Sequence, residues 1–128
     1  LKYADLQSFA SCSIDERDLS RFGHMHELRA LRLHSVMVPR LPAELRELSR
    51  LALLWITSSS IEELSEEQVL GWQRLECLHT KSLYFLRTLP PSLSELPRLR
   101  EVHLVGAPVC ATLPAALSGK VTCGSLTD

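Results

Sequence analysis

The sequence predicts an α/β repeat fold, in which short units each supply one strand and one brief helical return and stack on their neighbours. Three observations predict it. First, the chain reads Leu75, Leu78, Leu83, Leu86, Leu89-Pro90, Leu93 and Leu96, and the same phrase restarts at Leu99 with Val102 and Leu104 following. A period in the low twenties marks a unit that cannot bury its apolar side alone and must pack on copies of itself. Second, Leu28, Leu31 and Leu33 alternate with Arg29, Ala30 and Arg32, and Leu51, Leu54 and Ile56 do likewise. A period of two suits one short parallel strand per unit. Third, Ser65-Glu66-Glu67-Gln68 places a serine three residues before a glutamine, a capping-box pattern, and Val69 and Trp72 follow at helical spacing.

Taken in order, the units start at Leu6, Leu28, Leu51, Leu75 and Leu99, at steps of 22, 23, 24 and 24 residues, so residues 1–128 read as a single domain of about five repeats. A sixth start falls at Val121 or Cys123. The first unit is degenerate, since only Leu6 and Phe9 match the opening phrase. The second halves agree better. Phe22 and Met25 stand six and three residues before Leu28, as do Leu45 and Leu48 before Leu51, Val69 and Trp72 before Leu75, and Leu93 and Leu96 before Leu99. Trp72 therefore reads as a core residue on the side of the returns. Pro42 and Pro91 open comparable stretches, where a missing amide hydrogen does little harm, and each return should hold one or two helical turns.

Composition agrees with a leucine core: 45% of the chain is hydrophobic but only 5% is aromatic. A formal net charge of -1, from 14 basic and 15 acidic residues spread through the chain, leaves no overall footprint for nucleic acid or an anionic membrane. No apolar run reaches the roughly 18 residues of a membrane span. The chain opens at Leu1 without a signal pattern, and neither end shows the polar cap that stacked repeats require, so Leu1, Tyr3, Leu6 and Val121 should expose apolar surface. The expectation is a segment of a longer receptor or scaffold.

The stretches Leu28 to Leu48 and Leu75 to Leu104 resemble leucine-rich repeats of the 23 to 24 residue type. The Leu-Pro-x-x-Leu-x-x-Leu ending stands at Leu41-Pro42, Leu45 and Leu48, and again at Leu89-Pro90, Leu93 and Leu96. Such endings are similar to those of plant intracellular immune receptors and Ras-pathway scaffolds. The close of the chain, with Pro108-Val109-Cys110, Leu113-Pro114 and Cys123, resembles surface leucine-rich proteins of oomycetes. The match runs from about Leu19 to Leu117. It implies a curved solenoid whose parallel sheet lines a concave face, with short helical or irregular convex returns, and it implies protein binding, in defence or signalling. This chain departs from the pattern at Thr80, which replaces the third strand leucine, and at Ser59, Leu83 and Ala107, where an asparagine ladder is usual.

Strand side chains alternate, so if Leu31 and Leu33 point inward, Ala30, Arg32 and His34 point to the other face. The same offsets give Leu53, Trp55 and Thr57, then Cys77, His79 and Lys81, then Glu101, His103 and Val105. The expected partner-binding face is a column of Arg32, Trp55, His79 and His103 flanked by His34, Thr57 and Lys81. An aromatic ring among basic and imidazole groups on rigid strands is hot-spot chemistry. The alternatives are that Trp55 merely covers Leu53 and the sheet, and that the chain is a structural spacer between other domains.

Cys77, His79, Glu101 and His103 form a two-by-two patch of metal-ligand types on that face, which reads alternatively as a zinc site, although no Cys-x-x-Cys or His-x-x-x-His spacing supports it. No cofactor is implied. An enzyme is not expected: Cys77 beside His79 lacks an orienting third group and an oxyanion site, and there is no Gly-rich phosphate loop. Cys12 lies just past the first strand. Cys110 follows Leu99 by the eleven residues at which Leu86 follows Leu75, and Cys123 falls where the next leading leucine would stand. A Cys110 to Cys123 disulfide, which would imply an oxidising compartment, and a pair of buried thiols are both compatible with that placement.

Overall fold

Alternating apolar and polar residues build strands β1 (Tyr3–Gln7), β2 (Ala30–His34), β3 (Leu53–Thr57), β4 (Cys77–Lys81), β5 (Glu101–Val105) and β6 (Val121–Gly124). The computed structural model describes residues 3–7, 21–35, 38–113, 115–117 and 119–124. Leu1, Phe9, Cys12 and Leu19 lie outside the described residues, as do the side chains of Tyr3, Leu6 and Phe22. The described strands form one parallel sheet in chain order, so the class is α/β. Each of β2, β3, β4 and β5 is followed by a residue with positive φ, namely Ser35 (56°), Ser58 (50°), Ser82 (60°) and Gly106 (73°). The amides of these residues still donate to the next strand, at Thr57 O, Lys81 O, Val105 O and Gly124 O, so the chain turns only after its last ladder bond. That left-handed geometry fits glycine best, yet three of the four positions carry serine.

The returns are mostly 3-10 turns: Arg21–His24, Ala43–Glu47, Pro91–Glu95, Pro108–Ala111 and Ala115–Leu117. One is an α-helix, α1 (Glu66–Gly71), whose Ser65 hydroxyl accepts from Gln68 N at 3.2 Å. Only half of the expected capping box forms. The Gln68 side chain does not turn back to Ser65. It is buried, and its Nε2 donates to Leu41 O at 2.9 Å and to Pro42 O, which also accepts from Leu45 N, so the side chain is bound to the backbone of the preceding return. Glycines at two returns make room for backbone. A Cβ on Gly23 would stand 2.5 Å from Glu44 O and one on Gly71 would stand 2.2 Å from Arg46 O, so the Ala43–Glu47 turn lies between two positions where a side chain would collide with it.

The leading residues Leu28, Leu51, Leu75 and Leu99 are buried, and with Leu31, Leu33, Leu54, Ile56, Leu78, Val102 and Leu104 they form one face of the sheet's core. Leu45, Leu48, Val69, Trp72, Leu93 and Leu96 complete the same cluster from the returns. Trp72 is 1% exposed, and its indole Nε1 donates to Leu45 O at 2.8 Å, tying two neighbouring returns together.

Thr80 puts a polar side chain at an inward strand position of this core. Thr80 is 2% exposed and sits in register with Ile56 and Leu104, yet its hydroxyl has no hydrogen-bond partner among the described residues. A buried unpaired hydroxyl costs about 1–3 kcal/mol. Thr80→Val, which keeps the shape, is expected to raise the chemical-denaturation stability by about 1–2 kcal/mol. An unchanged or lowered midpoint would show that the hydroxyl is satisfied.

The last unit is shorter than the expected one. Val121 aligns with Val102 and Cys123 with Leu104, so neither replaces a leading leucine. The step from Val102 to Val121 covers 19 residues where that from Leu78 to Val102 covers 24. The compact segment of two 3-10 turns, Pro108–Ala111 and Ala115–Leu117, crosses back with fewer residues than the returns before it. No helix among the described residues is long and apolar enough to cross a membrane.

Candidate functional site

Register places the uncovered side chains of four strands in line. Arg32 of β2 lies opposite Trp55 of β3, Trp55 opposite His79 of β4, and His79 opposite His103 of β5. All four are partly exposed, because the buried positions of each strand are taken by the leucine set. They stack along the sheet. The Arg32 guanidinium carbon stands 4.4 Å from the Trp55 ring centre, the Trp55 and His79 rings meet edge-on at 5.4 Å, and His79 and His103 are tilted at 5.4 Å. A cation over an indole face adds about 0.5–2 kcal/mol of attraction, depending on how dry it is. Parallel strands about 4.8 Å apart impose this contact, since side chains at matching positions have no other direction to take. Arg32 Nε is buried with no hydrogen-bond partner among the described residues.

The flanking positions behave differently from one another. His34 Nδ1 and Thr57 Oγ1 are hydrogen-bonded at 2.6 Å, which fixes both between β2 and β3. Lys81 is exposed at the end of β4. On the other flank Leu53 is partly exposed, beside the stack rather than sealed beneath it. His24 and His26 are exposed in the first return and its turn, away from the column.

Cys77, His79 and Glu101 bring one ligand atom each to within 4.8 Å of one another, while His103, the fourth member of the sequence-level patch, is not part of the group. Glu101 Oε2 lies 3.8 Å from His79 Nε2. Ligand atoms of a tetrahedral zinc site with bonds of about 2.0–2.3 Å stand roughly 3.3–3.8 Å apart, so the trio would have to draw together by about 1 Å. Cys77 is a free, half-buried thiol. Cys110 and Cys123 are joined by a disulfide that links the Pro108–Ala111 turn to β6.

A second feature escapes a reading based on net charge. Arg50, Arg74 and Arg98 each immediately precede a leading leucine, and the fold carries them with Arg29 to the edge where the strands begin. Together with Ala52 and Glu76 they line a depression of about 180 Å³. The recurring Arg-Leu pairs at Leu51, Leu75 and Leu99 were the available signal. A larger cleft of about 310 Å³, lined by Glu62, Glu63, Phe85, Arg87 and Thr88, shares no residue with either feature. No family model and no curated protein matches this chain.

Proposed function

We propose that this chain is a protein-binding segment of a leucine-rich-repeat solenoid and that its partner seats on the face carrying Arg32, Trp55, His79 and His103. The observation that supports this most is the four-member stack, which holds a tryptophan and an arginine partly exposed on rigid strands while Leu31, Leu33, Leu54, Leu78 and Leu104 of the same strands are buried. Tryptophan and arginine are the residues that most often dominate binding energy at interfaces, and pre-ordering them lowers the entropy lost when a partner docks. His79 and His103 extend the same surface, with His34, Thr57 and Lys81 as its rim. Parallel strands in chain order, with leucine-lined returns every 23 or 24 residues, support the solenoid reading. The likeness to receptors and scaffolds suggests signalling or defence as the setting.

The test is capture of partner proteins from the native source, followed by affinity measurement with the purified partner. Trp55→Ala and Arg32→Ala should each weaken binding by about 2 kcal/mol, close to thirtyfold, while the thermal midpoint falls by no more than the few degrees that loss of the cation–π contact explains. Arg87→Ala, on an exposed residue away from the face, should leave affinity unchanged. Full binding by both face variants would sink the proposal and leave the spacer role.

A further inference from the structure

We propose that the strand-start edge of the sheet is a binding site for a sulfated polysaccharide. Arg29, Arg50, Arg74 and Arg98 surround one depression, all four are exposed, and a fifth arginine, Arg100, stands beside it through its 3.3 Å contact with Glu76. Among the described residues Glu76 is the one carboxylate lining the depression, and Arg100 engages it. Five guanidinium charges against one carboxylate leave four positive charges around the depression, in a chain whose formal net charge is -1. Among the described residues no ion pair neutralises Arg29, Arg50, Arg74 or Arg98. Like charges held this close repel one another, and an anion that spans them removes the repulsion.

The geometry is that of a linear site. Arg50, Arg74 and Arg98 occupy the same place in successive units, and neighbouring units are set by strands about 4.8 Å apart. Backbone bonds lock the spacing: Ala52 N donates to Arg29 O, Glu76 N to Ala52 O and Arg100 N to Glu76 O, each at 2.8 Å. Glu27 stands at the corresponding place before Leu28 and closes the strip at that end. A row of planar forks suits successive oxyanions on an extended polymer, each held by paired N–H donors, and arginine in place of lysine at every position favours that bidentate geometry.

Two observations favour sulfate over a nucleic-acid backbone. No aromatic side chain among the described residues lines the depression, so unpaired bases would lack a stacking platform. The Cys110–Cys123 disulfide belongs with an oxidising compartment and argues against the reducing cytosol and nucleus, where nucleic acid is concentrated.

Heparin is the probe, applied to the full chain at about 0.15 M salt, the physiological ionic strength. Retention is expected, with affinity that falls steeply as salt rises. Arg50→Glu combined with Arg74→Glu should weaken binding at least about tenfold without moving the thermal midpoint, because both side chains are exposed. The control, Arg40→Glu with Arg87→Glu, makes the same change in net charge at exposed positions off the edge, gives up the exposed Arg40–Glu63 ion pair, and should bind heparin nearly as the parent does. Equal losses in the two double variants would overturn the proposal by showing attraction to charge alone. So would failure of the parent chain to bind heparin, or tighter binding of a single-stranded oligonucleotide or of polyglutamate than of heparin.

Discussion

Trp72→Ala is expected to cost about 3–5 kcal/mol of folding stability and to lower the melting temperature by more than about 10 °C. The side chain is the largest of those fully buried, and it sits at the end of α1 with its indole nitrogen bonded to Leu45 O in the neighbouring return. Alanine removes the ring's contacts with the core, opens a cavity between two returns, and leaves the Leu45 carbonyl without that donor. Trp72→Phe separates these terms. It restores most of the apolar volume but not the N–H, so it should cost about 1–3 kcal/mol. Denaturant titrations of both variants check the ordering. If alanine and phenylalanine cost the same, the hydrogen bond dominates and the packing account is wrong; if alanine costs under about 1 kcal/mol, the returns are not held together here.

The role of Trp72 could be read from its six-and-three partners because burial at a return is periodic. Strand positions and their register were legible for the same reason: alternation settles which side chains share a face, and equal spacing settles which stand opposite. Arg32, Trp55, His79 and His103 therefore come together without any special motif. Legibility ended where a contact depends on a neighbouring return's backbone. Nothing near Gln68 in the chain indicates that its amide serves Leu41 and Pro42, and nothing near Gly71 indicates that the Arg46 carbonyl occupies the space of its missing side chain. The arginine edge was present in the letters as repeated Arg-Leu pairs, but a net charge averages over position and hides it. The last unit was misplaced because a constant period was extended into a segment whose return is shorter.

That shorter return makes the disulfide's effect local. Replacing Cys110 and Cys123 by serine opens a link with a sequence separation of 13, and loop-closure arguments put the loss near 3 kcal/mol. The loss should fall on β6 rather than on the whole sheet, since among the described strands β6 pairs only with β5, continuing the ladder through Val102 N to Lys120 O and Gly106 N to Gly124 O. In the proposed solenoid stability is a sum over neighbours, so an end strand can open while the centre stays closed. Amide hydrogen exchange should show protection of the β6 ladder falling by about a hundredfold in the double variant, while β3 and β4 keep theirs. The disulfide would then act as the clip of a terminal strand. Uniform loss of protection from β2 to β6 would mean that the sheet unfolds as one cooperative unit, and no loss at all would mean that β6 is held by its ladder and by Leu117, which packs in the core beside it.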